Sequence, residues 1–346
     1  MVSQEHIVLS VLVVSHNQGH LLSRCLDSIL SQRLDVPYEI IVSDDRSTDG
    51  TWNLIHHYEQ LYPTIVRGVH CNSDECDPSN RSERCGWNKA NAYRHARGDF
   101  FVNIDADDYL KSDDIYPLQL QALLDNPDCA LCQQRVWQVR EGAPLESGYA
   151  WPKHPKLKNG AKLTPARLIR EGLCGLNPTY MIRRNPLGEN PAEKYGKLYD
   201  DTIITYYHLH FGKVVFVDRA DYVWVQYGGS ISNSDRGADR QLLFALLPIQ
   251  HAMLIPKFRT LFITQYNREL AALLRQTLLH RIPLTDSTEC YYAQFDAFIF
   301  QYFAKGQRGI LSRLRIARAL LQYYKIHHRS DHSQATADKL YFLLVH

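Results

Sequence analysis

The strongest constraint on this chain is an alternation. From residue 7 to about 140, short apolar runs at 7–14, 38–42, 65–69, 100–104 and 130–139 are separated by stretches with helical spacing. Between the first two runs, Leu21, Leu22, Cys25, Leu26, Ile29 and Leu30 recur at three- and four-residue steps, as one face of an amphipathic helix requires. Residues 88–96 and 115–124 are shorter segments of the same kind. This pattern predicts an α/β fold, a largely parallel sheet covered by helices.

The rest of the chain reads differently. Residues 141–160 are rich in Gly, Pro and Lys without clear period, which predicts a loop able to order around a ligand. A helix at 164–171, a strand at 180–183 and a helix starting near Asp200 follow. Beyond Asp235 the pattern is wholly helical, at 241–254, 258–279, 291–303 and 310–326. Two regions are therefore expected: an α/β domain over 1–235 and a helical region over 236–346, the latter offering surface for acceptor, membrane or homo-oligomer contacts.

A chain of 346 residues, 45% hydrophobic and 22% charged, can bury a core of this size. The formal charge of +2 excludes the global basic footprint of a nucleic-acid binder. Residues 1–10 do not read as a signal peptide, no window has the length of a membrane span, and the eight cysteines are scattered. A reduced, cytoplasmic setting is the expectation.

Three polar clusters fall at the carboxyl ends of expected strands: Ser15-His16-Asn17, Asp44-Asp45, and the run Asp105-Ala106-Asp107-Asp108. In open α/β sheets those ends line the ligand crevice. One such cluster alone could merely end a strand or cap a helix; three at one sheet edge point to a common site. No G-x-G-x-x-G turn and no Walker-type loop is present to wrap phosphates. The carboxylates of the 105–108 run suit a hard divalent cation, Mg²⁺ or Mn²⁺, which in turn binds diphosphate oxygens.

With these features the chain resembles the inverting glycosyltransferases of family 2, which have the GT-A fold. The segments that carry the resemblance are VLVVSHNQGHLLSRCLDSILSQ, EIIVSDDRSTDGT, ARGDFFVNIDADDYL and YDDTIITYYHLHFGKVVFVD followed by GGSIS, spread over residues 7 to about 232. The resemblance implies a nucleotide-sugar donor, most simply a UDP-sugar, and a glycan or lipid-linked glycan acceptor, in bacterial surface polysaccharide or lipopolysaccharide assembly at the inner face of the cytoplasmic membrane. It implies that Ser15, His16 and Asn17 lie along the nucleotide base and that Asp44 or Asp45 accepts from the base imide N–H. By the same resemblance Asp105 contacts ribose and, with Asp107, belongs to the metal site, while Asp108 either joins them or caps the next helix. The pair Asp200-Asp201 resembles the family's acidic pair beside the acceptor, its second carboxylate acting as general base; inverting transfer needs one such carboxylate.

Other features fit less directly. An unusual insertion, residues 70–84, precedes GWNKANAYRHARG, so Asn72, Arg81, Arg84, Asn88 and Lys89 all compete as donor-side residues. His70, Cys71, Cys76 and Cys85 match no standard zinc spacing, and Cys129 and Cys132 read as core thiols. Residues 308–329 form a basic amphipathic pattern suited either to an anionic membrane surface or to packing with a solvated basic face. Two other functions compete with glycosyl transfer. A sugar-nucleotide pyrophosphorylase would need a glycine-rich loop that SHNQGH does not supply, and an inactive interaction module would have no use for Asp105, Asp107 and Asp201 together.

Overall fold

The computed structural model describes residues 6–71, 81–153, 157–171, 173, 176–196, 199, 201–226, 255–258 and 260–262. The chain divides into two compact units, Met1–Ser234 and Asp235–His346. The expected helices at 241–254, 291–303 and 310–326, most of that at 258–279, and the basic pattern at 308–329 lie outside the described residues, as does Asp200.

In chain order the first unit runs β1 (Leu9–Ser15), α1 (Gly19–Leu30), β2 (Tyr38–Asp44), α2 (Thr51–Leu61), β3 (Val66–His70), α3 (Arg81–His95), β4 (Phe100–Asp105) and β5 (Tyr109–Leu110). It continues with α4 (Ile115–Leu124), β6 (Cys129–Gln133), β7 (Val136–Arg140), β8 (Tyr149–Trp151), β9 (Lys162–Leu163) and α5 (Pro165–Glu171). The last described elements are β10 (Tyr180–Arg183), α6 (Pro191–Tyr195), α7 (Asp201–His208), β11 (Lys213–Phe216) and β12 (Tyr222–Gln226). Eight strands form one sheet in the order β3-β2-β1-β4-β10-β6-β11-β9, and β5-β12-β7-β8 form a second. The first four strands of the large sheet are mutually parallel, and β10 is antiparallel to both its neighbours.

The sequence explains the centre of this sheet. All seven residues of β1 are buried, as a parallel strand covered on both faces must be, and its run is apolar between two serines. Leu22, Cys25, Leu26 and Ile29 are the buried face of α1 and join the strand residues in one core. Three local expectations need correction. The apolar run at 130–139 is not one strand: it leaves the large sheet at Gln133 and enters the small one at Val136, because the N–H groups of Gln134 and Arg135 turn to the carbonyls of Thr179 and Arg219. Val136 and Val139 are buried in the new sheet too, so their apolar spacing cannot reveal the switch. Residues 141–160 are not loop throughout, since β8 pairs antiparallel with β7. Helix α3 also starts at Arg81, well before residue 88, because its first turns are polar and carry no apolar period. Cys129 and Cys132 are both buried and free, as expected of core thiols.

Gly98 marks a tight approach between strand ends. Its N–H donates to Ser10 Oγ at 2.8 Å, and a Cβ there would lie 2.6 Å from the Ser10 nitrogen and 2.7 Å from the Phe100 carbonyl oxygen. Gly98→Ala is expected to cost about 1–3 kcal/mol of stability, the usual scale of overpacking against backbone. Urea unfolding of the variant measures it, and an unchanged midpoint would refute it.

Candidate active site

The crevice follows from the strand order. The chain goes outward from β1 to β2 and β3 on one side and places β4 on the other, so the carboxyl ends of β1 and β4 frame a topological switch point. The register brings the expected clusters to one edge: Ser15 lies opposite Asp44, and Val14 opposite Asp105.

On the β1–β2 side the two loops are laced together. Asn17, at φ 53°, accepts from Thr48 N–H at 2.7 Å, and its own N–H donates to Ser47 Oγ at 2.8 Å. Gly19 N–H, in the first turn of α1, donates to Asp49 Oδ2 at 3.1 Å, and Asp49 also accepts from the N–H and hydroxyl of Thr51. These bonds hold Asp49 below the usual carboxylate range against the opposing effect of its partial burial. The His16 ring donates from Nδ1 to the Asp45 carbonyl at 2.6 Å, which leaves Nε2 to accept from Asn17 Nδ2. Asp44 and Asp45, adjacent in sequence, differ in what they touch. Asp44 is buried and accepts from the N–H and hydroxyl of Ser47 in its own turn. The Asp45 carboxylate is held by Arg84, with Nε and Nη2 at 2.8 and 2.7 Å from Oδ2.

Helix α3 supplies the middle of the site. Among the residues that compete in sequence, Arg84 reaches Asp45, Asn88 donates from Nδ2 to the carbonyls of Ser15 and Ser43 at 3.1 Å each, and Lys89 reaches farthest. The side chain of Lys89 is 3% exposed, and its Nζ donates to Asp201 Oδ1 and stands 3.4 Å from Asp105 Oδ1. The two carboxylates remain accessible, 34% for Asp105 and 37% for Asp201. Burial alone would lower the Lys89 pKa; the charges of Asp105 and Asp201 outweigh it and hold the ammonium well above the usual lysine value. Although a third of Asp105 reaches solvent, burial of the rest raises its pKa, with Asp201 and Asp107 adding to the rise and Lys89 opposing it.

Asp201 opens α7, and a buried polar chain that the sequence reading missed fixes the helix start. Asn103 of β4 donates to Asn177 Oδ1 at 2.8 Å, Asn177 donates to Thr205 Oγ1 at 3.2 Å, and Thr205 donates to the Asp201 carbonyl at 2.9 Å. The polar Asn103 within the expected strand at 100–104 is the sign of it in the sequence.

The three acids of the 105–108 run have separate surroundings. Asp108 caps no helix: it is buried, and it accepts from the Tyr222 hydroxyl and, at 2.9 Å, from Val225 N–H, clasping β12. Burial, with the Asp107 and Asp105 charges, pushes it well above the usual carboxylate range. Asp107 is half-buried, and its carboxylate has no hydrogen-bond or ion-pair partner among the described residues. Asp105 Oδ1 makes no hydrogen bond either. Among the described residues no three His, Cys, Asp or Glu side chains gather as a metal cage. Mg²⁺-type cations are held by one or two carboxylates together with waters and substrate phosphates, so the Asp107 carboxylate and the solvent-exposed side of Asp105 fit such an ion.

Residues 10–176 match the family model Glycosyl transferase family 2. The match covers β1 to α5, and so includes the laced loops, α3 and the 105–108 run, while Asn177 and Asp201 lie beyond it. The uncharacterized glycosyltransferase YibD of Escherichia coli is 24% identical over 263 residues, 72% of this chain and 70% of that one. The poly(ribitol-phosphate) beta-glucosyltransferase of Bacillus spizizenii is 29% identical over 106 residues, 30% of this chain and 16% of that protein. The uncharacterized Mycobacterium tuberculosis protein Rv1520 is 26% identical over 192 residues, 53% of this chain, and the chain spans about half of that protein's length, 49%. In structure, the Staphylococcus aureus TarS 1–349 fragment solved in complex with UDP superposes with a TM-score of 0.58 at 16% identity, covering 98% of this chain and 90% of that one. At that identity the likeness is one of fold: a GT-A glycosyltransferase architecture.

Proposed function

We propose that this protein transfers a hexose or N-acetylhexosamine from a UDP-sugar to a hydroxyl of a glycan acceptor, with inversion at the anomeric carbon. The observation that carries the reading is the meeting of Asp105, at the end of β4, with Asp201, at the start of α7, across one lysine, both carboxylates open to solvent. A base facing a donor-side strand end across a few ångströms is what a direct displacement needs. Asp201 takes the proton of the acceptor hydroxyl as its oxygen bonds to the anomeric carbon, and the bond from that carbon to the diphosphate breaks on the opposite face. Asp105 and Asp107 would hold Mn²⁺ or Mg²⁺, which when bound supplies charge stabilisation to the departing diphosphate. The lacing of His16 and Asn17 to the β2–α2 loop prepares a rigid wall for the nucleotide, with the buried Ser15 hydroxyl behind it.

UDP as the nucleotide is supported by the fold shared with TarS, solved with UDP, and the surface-polysaccharide setting by the named substrate of the Bacillus relative. Among the described residues no helix is long and apolar enough to cross a membrane; peripheral attachment through 308–329 at the inner face of the cytoplasmic membrane, and homo-oligomer contacts of the 236–346 region, belong to the proposal. Screening nucleotide sugars for Mn²⁺- or Mg²⁺-dependent nucleotide release tests it. Release from UDP-sugars above other nucleotides is the expected result, and no release from any sugar nucleotide with either cation would refute the reading.

For the base imide we take Asp45: both acids are engaged, Asp44 by Ser47 of its own turn and Asp45 by Arg84 of α3, and the second contact joins the acid to the helix that supplies the middle of the site. Asp45→Ala is expected to weaken UDP binding by about 1–3 kcal/mol, the scale of a lost charge-assisted partner. Calorimetry measures it, and wild-type UDP affinity in a folded Asp45→Ala would reassign the contact.

A further inference from the structure

Lys89 neither takes the acceptor proton nor holds the cation, yet its placement is specific. It comes from α3, an element that carries neither acid, and its side chain is nearly fully buried with Nζ between carboxylates of β4 and α7. Burying an ammonium is costly unless it is paired, and the pairing here spends Lys89 on two acids that solvent could otherwise reach. The backbone of Asp201 is already fixed by the chain through Thr205, Asn177 and Asn103. Its carboxylate, 37% exposed, is free of that chain and would sample several rotamers in water. Among the described residues, the side-chain partner that selects one of them is Lys89. A cation that served only donor phosphates would have no reason to reach α7.

We propose that Lys89 is a positioning residue for the transfer: its ammonium, seated between the Asp105 and Asp201 carboxylates, fixes the Asp201 carboxylate at the point where it meets the acceptor proton and ties that point to the donor-side strand end. The proposal rests on the glycosyl-transfer reading, with Asp201 as base. It separates backbone placement of the base, which the buried amide chain provides, from side-chain aim, which Lys89 provides. It also explains why the lysine is long and buried rather than short and exposed: the two carboxylates approach it from different elements, and only a side chain rising from beneath them reaches both.

The test is a double-mutant cycle on the full chain with Lys89→Met, Asp201→Asn and the pair, reading UDP release from saturating UDP-sugar with Mn²⁺, the KM for that sugar nucleotide, and UDP affinity by calorimetry. Lys89→Met alone is expected to lower kcat about 10- to 100-fold with KM and UDP affinity within about 3-fold of wild type, and to add no further loss to Asp201→Asn, since residues acting as a unit are not additive. Losses that multiply, or a raised KM with kcat intact, would overturn the proposal in favour of a donor-binding lysine. A crystal structure of Lys89→Met gives a reading independent of turnover: the Asp201 carboxylate is expected to leave its wild-type rotamer, and its persistence there would equally overturn the proposal. If Lys89→Met does not fold, Lys89→Gln, which keeps a polar head without the charge, goes through the same measurements. Wild-type turnover in Asp201→Asn would remove the base assignment itself, whereas a collapse in Asp201→Asn with an unimpaired Lys89→Met would remove only the role given to the lysine.

Discussion

Asp201→Asn is expected to lower turnover by about 10²-fold or more while leaving UDP affinity unchanged, because the amide keeps the size of the carboxylate but cannot take the acceptor proton. The site makes this a clean experiment. Asp201 stands at the mouth of the crevice, its backbone is held by Thr205 and not by its own side chain, and the Lys89 ammonium keeps Asp105 as a counter-charge. The ion pair that is lost is partly solvent-exposed on the acid side, so its contribution to stability is screened and the fold should survive. Nucleotide release at saturating UDP-sugar, with UDP affinity measured separately by calorimetry, decides it. Near-normal turnover in Asp201→Asn would move the base elsewhere, with Asp200→Asn the next variant to measure.

The second large effect concerns the divalent cation. Asp107→Ala, or excess EDTA, is expected to reduce transfer by about 10³-fold or more, the scale on which removal of a preorganised electrostatic group acts on catalysis. Asp107 is suited to this role by what it lacks: among the described residues its carboxylate pairs with nothing, so its removal costs no hydrogen bond or ion pair there. Asp108 is the contrasting control. Its carboxylate clasps Tyr222 and Val225 of β12, so Asp108→Ala should lose stability first and activity as a consequence. Full activity of the wild type in excess EDTA would sink the metal assignment, and an Asp107→Ala variant that unfolds would show that the residue belongs to the fold instead.

Much of this architecture is legible in the sequence where one physical demand dominates. The strands β1, β2 and β4 declare themselves because burial on both faces requires an unbroken apolar run, and the polar residues that end those runs fall at one edge because the strands are parallel. What stays hidden are choices between equivalent partners. Asp44 and Asp45 are indistinguishable as letters, and only the turn geometry that gives Ser47 to one and Arg84 to the other separates them. Asp108 looks like Asp107 until β12, more than a hundred residues later, brings Tyr222 to it. The split of 130–139 between two sheets is marked only by the polar Gln133-Gln134-Arg135, because the apolar residues on either side are each buried in their own sheet. Lys89 is one of five polar candidates on or before α3, and no local pattern could show that it reaches Asp201, a contact set by long-range packing.

The buried amide chain from Asn103 to Asp201 has a consequence for building chimeras. The segment that matches the glycosyl transferase family 2 model ends at residue 176, and the next residue is Asn177, whose side chain joins Asn103 inside that segment to Thr205 outside it and, through Thr205, to the Asp201 carbonyl. A graft that keeps residues 1–176 and takes its continuation from a relative, to import another acceptor preference, would cut between the two amides. Such a hybrid would bring its own acidic helix yet leave Asn103 in the core facing whatever residue replaced Asn177, and a mismatch there would both bury an unpaired amide and set the imported carboxylate off its mark. The productive crossover therefore either lies beyond Thr205 or carries position 103 with the graft.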